Sequence, residues 1–265
     1  MSRLISFGTY TFPDKGFSLV SNFGDAVPRT VRLPGIDGGF DLLGDDPPPI
    51  EIGRITWRYR LLADSPAHME ALRDSVRAML RYGRAQLVME TSAGQQRYTY
   101  AKLHNVQMPD AVTAPSDRVQ DVTCDFQVIT PRWYADSPDS PQAEACSGTS
   151  TTFTVTNAGN AIALPAFSID PSTAISSAGV TIQRLVDAAV VDEVEFAAAL
   201  LATDVLTIDA AALTVRKNGT DAYGNTFSAS HPAWMRLLPG VNNLKVILSG
   251  GESAAVTITW DDTWY

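Results

Sequence analysis

Short stretches of strictly alternating apolar and polar residues recur along this chain, and they restrict it to a mainly β fold. Ile55, Trp57, Tyr59 and Leu61 alternate with Thr56, Arg58 and Arg60. Val122, Cys124, Phe126 and Val128 alternate with Thr123, Asp125 and Gln127. Successive strand residues point to opposite faces, so each run predicts a strand with one buried and one wet side. Residues 86–91 and 96–103 flank Ser92-Ala93-Gly94 and predict a hairpin. Later runs are shorter: Phe153 and Val155, Val194 and Phe196, Leu213 to Val215, Leu244 to Leu248, and Val256 to Trp260. Asn218-Gly219 predicts a two-residue hairpin turn. Ser249-Gly250-Gly251 predicts another turn, and Pro239-Gly240 fits the central positions of a type II turn. Residues 195–202 suit either a strand end or a short helix.

One segment breaks the pattern. Ser65 is a good helix N-cap, Pro66 suits the first helical position and Gly83 the residue past the end. Between them Met69, Leu72, Val76, Met79 and Leu80 recur at three- and four-residue steps, which predicts a helix over about 65–82 with that stripe buried. Arg73, Arg77 and Arg81 lie off the stripe. Residues 33–40 and 47–49 are rich in Gly and Pro and predict a long loop.

Composition changes near residue 136. Residues 136–150 are rich in turn formers and poor in large apolar side chains, which predicts a linker between a first domain, 1–135, and a second, 151–265. At 265 residues and 45% apolar content, the chain has material for two cores. Residues 1–135 hold 15 basic and 15 acidic side chains, whereas 136–265 hold 5 and 14, the whole of the net charge of -9. An acidic chain of this kind is not built to grip a nucleic-acid backbone or an anionic membrane surface. No apolar run approaches the roughly 18 residues of a membrane helix, and the first residues lack a secretory leader's apolar core. Cys124 and Cys146 are too few for a disulfide framework or a thiolate metal site.

Candidate chemistry is sparse. His68, His104 and His231 show no metal-ligand spacing, so neither a metal nor a cofactor is expected. Cys124 falls on the apolar side of its strand, as an inert core thiol does. Asp45 with Asp46, Asp192 with Glu193 and Glu195, and Asp261 with Asp262 are the carboxylate pairs a glycoside hydrolase would require, but neighbours on a strand face opposite ways. No catalytic residue is assigned. Asn218-Gly219-Thr220 matches a glycosylation acceptor, which the hairpin turn explains better. A sugar-binding module would need an exposed aromatic; the candidates are Trp57, Trp133, Trp234, Trp260, Trp264, Tyr223 and Tyr265. Trp57 and Trp260 read as core, while Trp264 and Tyr265 are the candidates for glycan or partner contact.

The order of these pieces resembles the distal tail protein family of long-tailed bacteriophages (siphoviruses). In the first half the resemblance rests on residues 52–61, the capped helix, the hairpin after it, and Asp121 to Val128 running into Pro131-Arg132-Trp133. In the second it rests on residues 153–160, 165–167, 206–209, Trp234 to Asn242, and Val256 to Trp260. Thr203-Asp204 stands where such proteins often have Gly-Asp, so that turn is expected to differ. The resemblance implies two β-sandwich or barrel domains, the first flanked by one helix and the second galectin-like. It implies a structural, non-enzymatic virion protein: a homo-oligomeric ring, usually a hexamer, at the distal end of the tail. That ring would join the tail tube protein to the tip hub and receptor-binding proteins and let DNA through. A tail-tube-like protein and a carbohydrate-binding module are the alternatives. Ring closure needs one surface to meet a different one on the neighbour. Arg54, Arg58 and Arg60, on the polar side of the Trp57 strand, are the candidate interface residues.

Overall fold

The computed structural model describes residues 2–14, 16–22, 30–31, 40–41, 53–108, 118–128, 132–136, 141–226, 234–248 and 252–265. The predicted loop of residues 33–40 and 47–49 lies almost wholly outside them, as do the turn at 249–251, His231, Asp45 and Asp46. Contacts divide the chain into two units, Met1–Asp136 with Tyr265, and Ser137–Trp264.

The first unit contains β1 (Arg3–Phe7), β2 (Tyr10–Thr11), β3 (Gly16–Asn22), β4 (Thr30–Val31), β5 (Phe40–Asp41), β6 (Gly53–Leu62), helix α1 (Pro66–Ala78), β7 (Ala85–Glu90), β8 (Gln96–Gln107), β9 (Val119–Val128) and β10 (Trp133–Ala135). Its main sheet is antiparallel, in the order β2-β1-β7-β8-β9-β6-β3, while β4 and β5 form a separate ribbon. In a flat sheet β1 and β9, three strands apart, would be about 14 Å apart. Yet the rings of Phe7 on β1 and Phe126 on β9 meet at 5.0 Å, and Phe12, just past β2, meets Tyr59 on β6 at 5.4 Å. The sheet is therefore strongly curled, with β2 and β3 as its two ends. Inside the curl lie Leu4, Phe7, Ile55, Trp57, Tyr59, Leu61, Leu87, Cys124 and Phe126, all nearly fully buried.

Helix α1 begins as the sequence predicts: the Ser65 side chain accepts the His68 amide, with Pro66 following. Met69, Val76 and Met79 are buried, and Arg73 donates to Oε1 of the buried Gln120 at 3.0 Å. The Phe7 and Tyr82 rings, 5.8 Å apart, join the end of the helical segment to β1. The helix ends differently from expectation. After Ala78 the chain tightens into a 3₁₀ turn, Met79–Arg81, and leaves in extended conformation at Tyr82, so Gly83 does not provide the stop. The tighter turn keeps Met79 inward and rotates Leu80 out, leaving Leu80 exposed rather than part of the buried stripe.

The second unit contains β11 (Gln142–Ser147), β12 (Ser150–Asn157), β13 (Ala166–Pro171), β14 (Val180–Val186), β15 (Ala189–Phe196), β16 (Leu206–Asp209), β17 (Thr214–Lys217), β18 (Thr220–Asp221), β19 (Gly240–Leu248), β20 (Ser253–Thr259) and β21 (Thr263–Trp264). Two antiparallel sheets, β11-β20-β13-β16-β17-β18 and β12-β19-β14-β15, enclose one apolar cluster. Phe167, Ile169, Leu206, Ile208, Val256 and Ile258 come from the first sheet; Phe153, Val155, Ile182, Phe196, Leu244 and Val246 come from the second. This is a β-sandwich, with alternate residues of each strand turned into the interior.

Residues 136–150 are not simply a linker. Gln142–Ser147 pairs along its whole length with β20 as an edge strand. Only Cys146 of it is buried, so the strand lacks the apolar alternation by which the others are recognised. The 195–202 ambiguity resolves to a strand that stops at Phe196, with no helix after it.

Candidate assembly face

Alternation on β6 turns Ile55, Trp57, Tyr59 and Leu61 inward, and Arg54, Thr56, Arg58, Arg60 and Leu62 outward. The three predicted arginines therefore share one exposed sheet face, with about 7 Å between alternate residues. Register supplies their neighbours. Arg54 stands beside Gln127, Thr56 beside Asp125, Arg58 beside Thr123 and Arg60 beside Asp121 on β9. One strand further, Lys102 stands beside Gln127 and Asn105 beside Asp125 on β8. On the opposite flank Val20 of β3 lies beside Thr56.

The charges on this face are unequally engaged. Arg60 grips Asp121 with two bonds, Nε to Oδ1 at 2.6 Å and a terminal nitrogen to Oδ2 at 3.1 Å. The guanidinium holds the Asp121 carboxyl below its ordinary range. Thr56 donates to Asp125 at 2.6 Å. Arg54 and Arg58 have no ionic partner among the described residues. Four cations, Arg54, Arg58, Arg60 and Lys102, thus share the face with two carboxylates. Two apolar side chains complete it: Val20 is 58% exposed and Leu62 is 49% exposed. The sequence alone shows the arginines but not Val20, Lys102 or the two aspartates beside them. Those depend on which strands are neighbours, and alternation within one strand does not carry that information. Further along β8, Tyr98 stacks on Tyr134 at 5.3 Å and Arg84 lies 4.4 Å from the Tyr100 ring centre.

Trp264 and Tyr265 do not join this group. Trp264 is half-buried in β21 and Tyr265 is exposed. Trp57, Trp133 and Trp260 are buried, and Tyr223 stacks with Trp234 at 6.1 Å.

On β15 the fold separates Asp192 from Glu193 and Glu195, which share the other face. Asp192 is buried and Glu193 turns to the other face of β15, where it accepts from Gln183 at 2.6 Å. Asp192 accepts from Arg184 at 2.7 Å and from Arg236 at 3.0 Å. Arg184 is itself buried, so this cluster joins the interior of the four-stranded sheet to the segment before β19. Asp262 is occupied in accepting the Ala158 amide at 2.8 Å. No group of three His, Cys, Asp or Glu able to hold a metal occurs among the described residues. Cys124 is fully buried beside the Tyr59 hydroxyl, and burial pushes its thiol up to about 12. No helix of the described residues is long and apolar enough to cross a membrane.

Among the described residues, the motif-bearing turns of the second unit are held by their own side chains. Asn218 and Gly219 lie at φ 52° and 76°, as a two-residue hairpin of this hand requires. The Asn218 side chain accepts the Val205 amide and donates to Asp204, each at 2.8 Å. Asp204 also accepts from Lys217 at 2.8 Å and from the Leu201 amide at 2.7 Å. The Thr203-Asp204 turn is thereby closed by its own carboxylate. Gly240 lies at φ 90°, in agreement with the predicted type II turn, and the Asn242 side chain bonds Leu238 at both amide and carbonyl. The reversal after β12 is held by buried Asn157, which donates to the Ala161 and Leu237 carbonyls.

Residues 158–264 match the family model described as siphovirus-type tail component, C-terminal domain. No curated protein matches the sequence. Among solved structures, the crystal structure of the Dit protein (gp 19.1) of phage SPP1, described as a paradigm of the hub adsorption apparatus in phages infecting Gram-positive hosts, is similar to this chain. All of both chains align, with a TM-score of 0.69 and 14% identity. A chain of the phage P2 baseplate in its activated conformation with Ca aligns over 97% of this chain and 90% of its own, with a TM-score of 0.43 and 11% identity. Residues 158–264 thus match the siphovirus-type tail component C-terminal domain, and the chain as a whole has the fold of SPP1 Dit.

Proposed function

We propose that this chain is a non-enzymatic structural subunit that closes with copies of itself into a ring, six in number by family resemblance, at the distal end of a phage tail. The ring joins the tail tube to the tip hub and its receptor-binding proteins and leaves an open centre for DNA. The protein is made in the host cytoplasm and resides in the virion, at the tail tip. The observation that carries this reading is the end-to-end likeness to SPP1 Dit, a hub protein, together with the family match over residues 158–264.

The residues are consistent with such a role. Of the carboxylate candidates, Asp192 is committed to ion pairs, Asp262 to a backbone amide and Glu193 to Gln183. The charge balance is acidic, which lets a polyanion pass without being held. Native mass spectrometry of the purified protein tests the reading. A closed species near six times the 28.5 kDa subunit mass is expected. A monomer at every concentration, with or without tail-tube and hub proteins, contradicts it.

A further inference from the structure

We propose that the outward face of β6 and its neighbours, made by Arg54, Arg58, Lys102, Val20 and Leu62, docks a second copy of this chain through an acidic surface of that copy outside this face. The inference rests on the ring reading and names the contact that would build the ring.

Charge argues for the occupant. The face has a surplus of cations, with Arg54 and Arg58 lacking ionic partners among the described residues, whereas the whole chain has a net charge of -9. The acidic surplus lies in residues 136–265, 14 acidic against 5 basic side chains, so a second copy offers this face an oppositely charged surface. The face repels itself: a two-fold contact would set Arg54 and Arg58 against their own copies. Attraction to a different surface, with repulsion from its own kind, selects a head-to-tail contact. The side chains at its margins argue for a protein rather than a polyanion. Val20, 58% exposed, and Leu62, 49% exposed, are apolar groups beside exposed arginines, the mixture found at protein interfaces. A phosphate-binding surface has no use for them.

Arg54→Glu/Arg58→Glu tests the proposal, with Arg54→Gln/Arg58→Gln as a milder partner. Arg60 is left in place because it binds Asp121 within the fold. Sedimentation velocity reads assembly at low and high salt, circular dichroism reads folding, and fluorescence anisotropy reads binding of duplex DNA. The wild type should assemble less readily as salt rises, and the glutamate pair should weaken assembly at least tenfold with its melting curve unchanged. If the glutamate pair does not fold, the glutamine pair decides the matter, with a smaller loss expected. Wild-type assembly that both variants reproduce overturns this proposal and leaves the ring reading standing. DNA binding by the wild type that the variants lose, with assembly unaltered, also overturns it. A wild type that never assembles overturns both.

Discussion

At the scale of single residues, the stability of the second unit depends on polar groups that have little freedom to be replaced. Asp192 neutralises the buried Arg184 and is also bound by Arg236, whose side chain is 42% exposed. Asp192→Ala strands a buried guanidinium and should cost about 3–5 kcal/mol in urea denaturation, whereas Arg236→Ala should cost much less. Asp204 is a pH-sensitive position. Bonds from Lys217, the Leu201 amide and Asn218 hold its carboxyl down at about 2, against an ordinary 3.8. A depressed carboxyl adds stability above its unfolded value and loses it as pH falls through the folded one. The contribution should therefore fade between about pH 4 and pH 2, and Asp204→Asn should flatten that limb of the stability–pH curve. Gly159 is fixed by space: a Cβ there would lie 1.9 Å from the Thr263 carbonyl oxygen. Gly159→Ala should lower stability by roughly 3 kcal/mol or more, at the severe end of point substitutions. Cys124 and Cys146 are both buried, and burial raises both thiols. Ellman's reagent should label neither in the native protein and both after denaturation.

At the scale of elements, what the sequence discloses depends on how much of a strand or helix is two-sided. The β6, β9 and β19 strands alternate cleanly because each has one buried and one wet face, and their inward residues follow directly from the pattern. β1 and β3 show no such regularity. Register shifts between Leu4 and Ser6, and between Gly16 and Ser18, break their period, and no strand is predicted at either. β11 is an edge strand of polar and small residues with Cys146 alone buried, so its composition resembles a linker. The start of α1 is written in Ser65 and Pro66, and Ser65→Ala should cost about 1 kcal/mol, read by thermal melting. The end of α1 depends on a 3₁₀ turn set by tertiary packing of Met79 and Tyr82, which periodicity cannot show. The assembly face is half legible for the same reason: its arginines follow from β6 alone, while Val20, Lys102, Asp121 and Asp125 join it only through strand order. The Arg60–Asp121 pair on it is about half exposed, so Asp121→Asn should change stability by at most about 1 kcal/mol.

At the scale of the whole molecule, two units with different electrostatics occupy one chain. The first is balanced overall and concentrates cations on one sheet face; the second is strongly acidic over a conventional apolar interior. Each unit has its own core, so neither requires the other for its burial of apolar surface. On the proposed reading, the polar side chains of such a chain serve turns, buried pairs and surface complementarity between copies. Electron microscopy of the purified protein tests that view most directly. Class averages should show rings of repeated subunits around an open centre, in a field that loses them as salt is raised. A field of single-subunit particles at every concentration and salt level would contradict it.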